Sequence, residues 1–155
     1  MRKILIAAAA IASLALVFGA ITLLRRTTMN KRIVATNAAP AAIGPYSQGV
    51  EVGGFLFFSG MLAIDPATGD LVGATAAEQA EQVCKNISAL LASQGLRPED
   101  VVKTTVFLTD LNEFAAVNAV YGQLFRQEPP ARSCVEVSRL PKDALVEIEC
   151  VAKKP

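Results

Sequence analysis

No histidine occurs anywhere in the 155 residues. That absence excludes Ser-His-Asp and Cys-His catalysis and every metal site built on imidazole. Cysteine is scarce: Cys84, Cys134 and Cys150 are three, an odd number. Their spacing makes neither a zinc pattern nor a disulfide framework, so buried free thiols are expected and no metal site is assigned. An excess of charge of either sign is missing too. Fifteen Lys and Arg against 14 Asp and Glu leave a net +1, which gives no electrostatic footprint for nucleic acid. Catalysis must therefore draw on carboxylate, Arg, Tyr, Ser, Cys or backbone groups.

What the chain has in abundance is apolar residues, 52% of the total, with the excess concentrated in the first 24. Ile4 to Leu24 runs without a charge, flanked by Arg2 and Lys3 before it and Arg25 and Arg26 after it. As a helix it would span about 30 Å, the thickness of a bilayer core. It reads as either a membrane anchor or a signal peptide. The run is longer than a usual signal core and ends without a clean A-x-A site, which favours the anchor. Either way the domain is membrane-anchored or exported to the periplasm. Lys31 and Arg32 add basic charge downstream, and the positive-inside rule then leaves a cytoplasmic domain open. So does a start at Met29. The organisation expected is a segment over 1–28 and one globular domain over 29–155.

Within the domain, Lys31–Ala35 is a short strand. Gln48–Val52 and Phe55–Ser59 flank Gly53-Gly54, a two-residue hairpin signal. Asp65 to Gly69 is a turn. Thr75 and Glu78 form a capping box and Gly95 closes a helix whose stripe is Ala80, Val83, Ile87, Leu90 and Leu91. Pro98-Glu99-Asp100 leads into a strand over Val101–Thr109. A second helix, about Glu113–Phe125, carries Phe114, Val117, Tyr121 and Leu124 on one face, and Pro129-Pro130 ends that region. Arg132–Ser138 and Leu145–Ala152 are the last strands. The order predicts an α+β domain, a mixed sheet with both helices on one face.

Strand alternation sorts the last two segments by face. Val146, Ile148, Cys150 and Ala152 should meet the helices, leaving Glu147 and Glu149 on the other side. Val135 and Val137 are expected with the helix-facing set, so that Arg132, Cys134, Glu136 and Ser138 point away from it. If the two strands form a hairpin around Arg139–Ala144, Arg132, Cys134, Glu147 and Glu149 share one sheet surface. Leu145 and Val151 on that surface suit an oligomer interface with a site set into it better than a merely solvated face.

Pro130-Ala131-Arg132-Ser133-Cys134-Val135, Leu140-Pro141-Lys142 and Val146-Glu147-Ile148-Glu149 resemble the C-terminal signature of the reactive intermediate deaminase A (RidA, also YjgF) family. Ala39 to Gln48 resembles its opening motif, Phe58-Ser59-Gly60 with Ile64-Asp65-Pro66 its second. Asn86-Ile87, Val102 to Leu108 and Phe114 to Asn118 continue the likeness, over about residues 33–153. The resemblance implies a chorismate-mutase-like fold and a homotrimer with sites between subunits. It also implies hydrolysis of small enamine and 2-imino acids, 2-aminoacrylate, 2-iminopropanoate and 2-iminobutanoate, to 2-keto acids and ammonia without a cofactor. Such intermediates escape from pyridoxal-phosphate dehydratases. The apolar leader departs from the usual cytosolic member. The short Arg126–Pro130 connection departs from relatives with a longer one.

By the same resemblance, Arg132 holds the substrate carboxylate, which a planar fork does and lysine cannot. Glu147 positions the attacking water, and burial near an apolar interface would tune its pKa. Tyr46 presents its hydroxyl or ring, Ser59 and Gly60 line the pocket, and Asn118 occupies a further pocket position. Cys134 lies at the site, contributing its backbone N–H rather than an activated thiol. The plainer roles are an ion pair for Arg132, an interface charge for Glu147, packing for Tyr46 and helix capping for Asn118. Glu149, Glu136 and Lys103 are read as structural. The rival functions are a non-catalytic trimeric module that binds small acids, a ribonuclease or translation inhibitor, and a membrane-tethered scaffold.

Overall fold

The structure, a computed structural model, describes residues 30–155. Ile4–Leu24, Met29 and the boundary between residues 28 and 29 lie outside them. Among the described residues no helix is long and apolar enough to cross a membrane.

Gly53 and Gly54 both take positive φ, 58° and 79°. Those values belong to the tight turn that matches strand twist, and they join β2 (Gly49–Val52) to β3 (Phe55–Met61) as an antiparallel hairpin. A short β1 (Arg32–Val34) extends it. Thr75 Oγ1 accepts from Glu78 N while the Glu78 carboxylate accepts from Thr75 N, closing the expected box at the start of α1 (Ala76–Ser93). Gly95, at φ 71°, follows its far end. Ala80, Val83, Ile87, Leu90 and Leu91 are all buried, and each larger one contributes roughly 1.5–3 kcal/mol of apolar burial. Next come β4 (Val101–Leu108), α2 (Phe114–Leu124), β5 (Ala131–Glu136) and β6 (Val146–Lys153). The two helices cover one face of a single mixed sheet in the order β1-β2-β3-β6-β4-β5.

The expected hairpin between the last two strands does not form. β4 lies between them, antiparallel to β6 and parallel to β5. On β6 the alternation holds: Val146, Ile148, Cys150 and Ala152 are buried against the helices. On β5 it is reversed from the expectation. Arg132, Cys134 and Glu136 stand beside Thr104, Val106 and Leu108, which are buried on the helix side. Val135, 41% exposed, lies on the open face, and Val137 packs on a small cluster around Leu62, Ile64, Leu140 and Ala144. The reason is position: β5 is the edge strand. The helix layer reaches only its near margin, so polar side chains can point inward and still meet water.

Buried amides tie the irregular segments to this frame. Asn86 Nδ2 donates to Leu62 O and Ile64 O at 3.0 and 2.8 Å. Gln48 Oε1 accepts from Thr36 N, and its Nε2 donates to the carbonyls of Thr36, Ala39 and Pro40. Gln79 Oε1 accepts from Leu145 N. Each satisfies backbone groups that have no ladder partner.

Candidate active site

The residues singled out from the sequence fall into two groups on opposite faces of the sheet. The first sits at the β5 edge, on the helix side. Arg132 lays its guanidinium 4.6 Å from the Tyr121 ring centroid and 5.6 Å from that of Phe114, a stacking arrangement that holds its plane. Its Nη1 donates to Asn118 Oδ1 at 2.8 Å. Phe114, Asn118 and Tyr121 share one face of α2, at spacings of four and three. The Tyr121 hydroxyl is anchored below, 2.8 Å from Thr104 Oγ1, both residues being buried. With Nη1 committed to Asn118, the side-on fork of Nε and Nη2 points away from it, ready for a carboxylate.

Cys134 follows on the same edge, partly buried. Burial pushes its thiol pKa up, and the neighbouring Arg132 opposes this less strongly. Cys134 is therefore a neutral thiol near pH 7, a poor nucleophile. Among the described residues no strand lies beside the outer side of β5, and an edge strand presents its outward backbone groups to a ligand.

The second group opens on the other face. Tyr46, Ser59, Gly60, Glu147 and Glu149 line a cleft of about 420 Å³, closed by Ile43, Leu62 and Pro141. Its floor is a β-bulge. Phe58 pairs with Cys150 and Met61 with Ile148, so three steps on β3 oppose two on β6 around Ser59 and Gly60. The bulge brings Gly60 directly under the Glu147 side chain; a Cβ there would stand 2.7 Å from Glu147 Cδ. Ser59 Oγ donates to Ser47 O at 2.7 Å, and the Tyr46 hydroxyl accepts from Ile43 N at 3.2 Å, which fixes the loop over the cleft. Half-burial raises the Glu147 pKa above the ordinary carboxylate value, and the charge of Glu149 adds to this. A carboxylate so placed is a better proton acceptor from water than a solvated one.

The expected shared surface for Arg132, Cys134, Glu147 and Glu149 is thus not observed. Glu147 registers with Phe107, and Phe107 with Val135, three residues along from Arg132. Two strand spacings across and three residues along put their Cα atoms roughly 14 Å apart, on opposite faces. One small substrate cannot touch both within a single chain.

The residues that sequence reading did not assign to the site are Tyr121, Phe114, Ile43, Leu62 and Pro141. Tyr121 and Phe114 had a visible signal: Asn118 interrupts their apolar stripe with a polar side chain on the same face. Of the residues read as structural, Glu136 accepts from Leu111 N and Lys103 donates to Ser133 Oγ, as a structural role requires. Glu149 instead faces the cleft.

Comparison with known proteins supplies the family. A family described as Endoribonuclease L-PSP matches residues 36–154. The chain is 51% identical over 124 residues to the 2-iminobutanoate/2-iminopropanoate deaminase of Escherichia coli strain K12, covering 78% of this chain and 96% of that protein. This chain belongs to the RidA/YjgF family. Two solved RidA/YjgF structures agree in fold. RidA from an Antarctic Psychrobacter superposes with a TM-score of 0.76 at 43% identity, over 79% of this chain and 99% of that one. Escherichia coli TdcF with bound serine gives 0.75 at 45%, over 80% and 99%. The six-stranded mixed sheet with two helices is therefore the RidA/YjgF fold.

Proposed function

We propose that this protein hydrolyses small 2-imino acids, 2-iminopropanoate and 2-iminobutanoate, to 2-keto acids and ammonia, at sites completed between copies of the chain in a homotrimer. The observation that carries the reading is the division of the two groups between opposite faces. The Arg132 edge of one copy, set against the open cleft of another, brings a carboxylate fork to a water-activating carboxylate. The open face suits such burial: Phe57, Phe55 and Ile33 are 47%, 39% and 51% exposed on the sheet and its margin. Serine bound to TdcF carries a carboxylate and a cationic nitrogen on one carbon, the groups an iminium acid carries on C2.

The chemistry follows from the parts. Arg132 fixes the substrate carboxylate beside C2. Glu147 takes a proton from water as its oxygen bonds to C2 and the C=N electrons move to nitrogen. The resulting carbinolamine receives that proton on nitrogen. Loss of ammonia, with the hydroxyl proton passing to Glu147 or solvent, leaves the keto acid. Ribonuclease action is disfavoured by two carboxylates lining the cleft, which repel phosphate. A binding module without turnover has no use for a half-buried carboxylate of raised pKa beside the ligand.

The deciding experiment supplies 2-iminobutanoate from a dehydratase and follows keto-acid appearance with increasing purified protein. A rise in rate with protein concentration is expected; a rate that stays at the uncatalysed value would overturn the reading. Light scattering should give the mass of three chains, and a monomer at micromolar concentration would remove the composite site. The apolar run Ile4–Leu24 supports a further proposal, attachment to a membrane with the domain on its surface. The protein should then sediment with membranes and become soluble when residues 1–28 are deleted. Intact chain wholly in the supernatant would overturn it.

A further inference from the structure

Glu149 lies two residues beyond Glu147 on β6 and points from the same face into the same cleft. Strand geometry separates their Cα atoms by roughly 7 Å, close enough for one ligand group to lie between the carboxylates. Among the described residues the cleft lining has two anionic side chains and no cationic one. The charged group on the neighbouring strand is Lys103, whose Nζ donates to Ser133 Oγ at 2.9 Å; no salt bridge joins it to Glu149 among the described residues. On β6 itself, Lys153 stands over the Phe55 ring and donates to Lys154 O. From the loop, Tyr46 lines the cleft with its hydroxyl accepting from Ile43 N. Glu149 is exposed in the single chain and carries its charge beside a cleft that a second copy would cover. The Arg132 fork that the neighbouring copy would bring is engaged with the substrate carboxylate, which leaves the substrate nitrogen as the positive group for Glu149.

We infer that Glu149 is a specificity-determining residue that holds the cationic nitrogen of the substrate, the iminium of the imino acid, while Glu147 handles the water proton. The assignment rests on the deaminase reading of the cleft. It divides labour between two carboxylates in different environments, Glu147 half-buried and Glu149 exposed at the cleft margin. The positive charge is present on the bound iminium. It returns on nitrogen when the protonated carbinolamine expels ammonia. An attraction felt both in the bound substrate and in the departure step is largely uniform binding, so its loss appears chiefly in KM and less in kcat. The neutral carbonyl of the keto-acid product has no such attraction and leaves readily.

The test uses the full chain with Glu149→Gln and Glu149→Lys, and two probes of one skeleton. L-serine carries an ammonium at C2; glycerate carries a hydroxyl there. Titration calorimetry should show wild type preferring serine. Glu149→Gln should weaken serine by roughly tenfold, as expected for one charge pair in a partly screened site, and leave glycerate within about twofold of wild type. Glu149→Lys should abolish or reverse the preference. In turnover of 2-iminobutanoate, Glu149→Gln should raise KM more than it lowers kcat. The acidic limb of kcat should also move to lower pH, because a like charge beside Glu147 has gone. Equal weakening of serine and glycerate, or no change in either, would overturn the assignment. A wild-type chain that binds serine selectively but releases no keto acid would overturn the deaminase reading alone, and the variants would still decide Glu149.

Discussion

Gly60 and Glu147 compete for the same space: a Cβ on residue 60 would stand 2.7 Å from Glu147 Cδ and 3.0 Å from its Cγ. The bulge in β3 places a residue without a side chain under the carboxylate and so sets where that carboxylate stands in the cleft. Gly60→Ala should displace that carboxylate while leaving the core intact. Misplacement by an ångström costs on the order of 10- to 100-fold in rate. Keto-acid formation beside a melting curve checks this, and unchanged turnover would separate Gly60 from the chemistry.

Arg132 is held by shape as much as by charge, between two aromatic rings and Asn118. Arg132→Lys keeps the charge and loses the fork. The cost is roughly 1.5–3 kcal/mol for a charge-assisted hydrogen bond, on the order of a 10- to 100-fold fall in kcat/KM. Arg132→Ala should be worse, with oligomer mass little changed. If Arg132 serves assembly instead, the trimer dissociates and turnover per assembled trimer stays normal.

Glu147 links activity and stability to pH with opposite signs. Its folded pKa is raised above the ordinary 4.5 by burial first and by Glu149 second. If Glu147 is the base proposed above, it works only when ionised, so activity should fall as pH drops through that raised value. The folded state binds the proton more tightly than the unfolded chain. Its contribution to stability is therefore full below the unfolded pKa and is lost as pH rises through the folded one. Glu147→Gln should abolish most turnover yet raise Tm at pH 7, with the gain vanishing below about pH 4. A lower Tm at pH 7 would contradict the desolvation account.

Asn86 carries a stability prediction that reaches the cleft. Its side-chain amide satisfies the carbonyls of Leu62 and Ile64 from inside the core, and Leu62 is part of the cleft wall. Asn86→Leu leaves both carbonyls buried without a donor, at roughly 1–3 kcal/mol each. Urea unfolding should show a loss of that order, and a change under about 0.5 kcal/mol would mean that the wall is held by other contacts.

Local signals in the sequence placed the elements well. Thr75 with Glu78, Gly53-Gly54 and the stripe from Ala80 to Leu91 each act over a few residues, and each formed as read. The pairing of β5 was not legible, because which strand lies beside it depends on contacts far apart in the chain. An edge strand also relaxes the rule that inward means apolar, so Val135 and Val137 pointed the alternation the wrong way. The role of Glu149 was hidden for a related reason. Charged residues are common on strands, and only the bulge at Ser59 and Gly60 shows that this one borders a cleft.

The placement of β4 between β5 and β6 has a consequence in genetics. A chain lacking Arg132 still offers a sound Glu147 cleft, and a chain lacking Glu147 still offers a sound Arg132 edge. With the composite site proposed above, each should be inactive alone. Mixed in equal amounts and assembled at random into closed rings, about a quarter of the junctions would pair a sound edge with a sound cleft. Two dead alleles of this gene would then restore activity to each other in one cell, whereas two lesions on the same half never could.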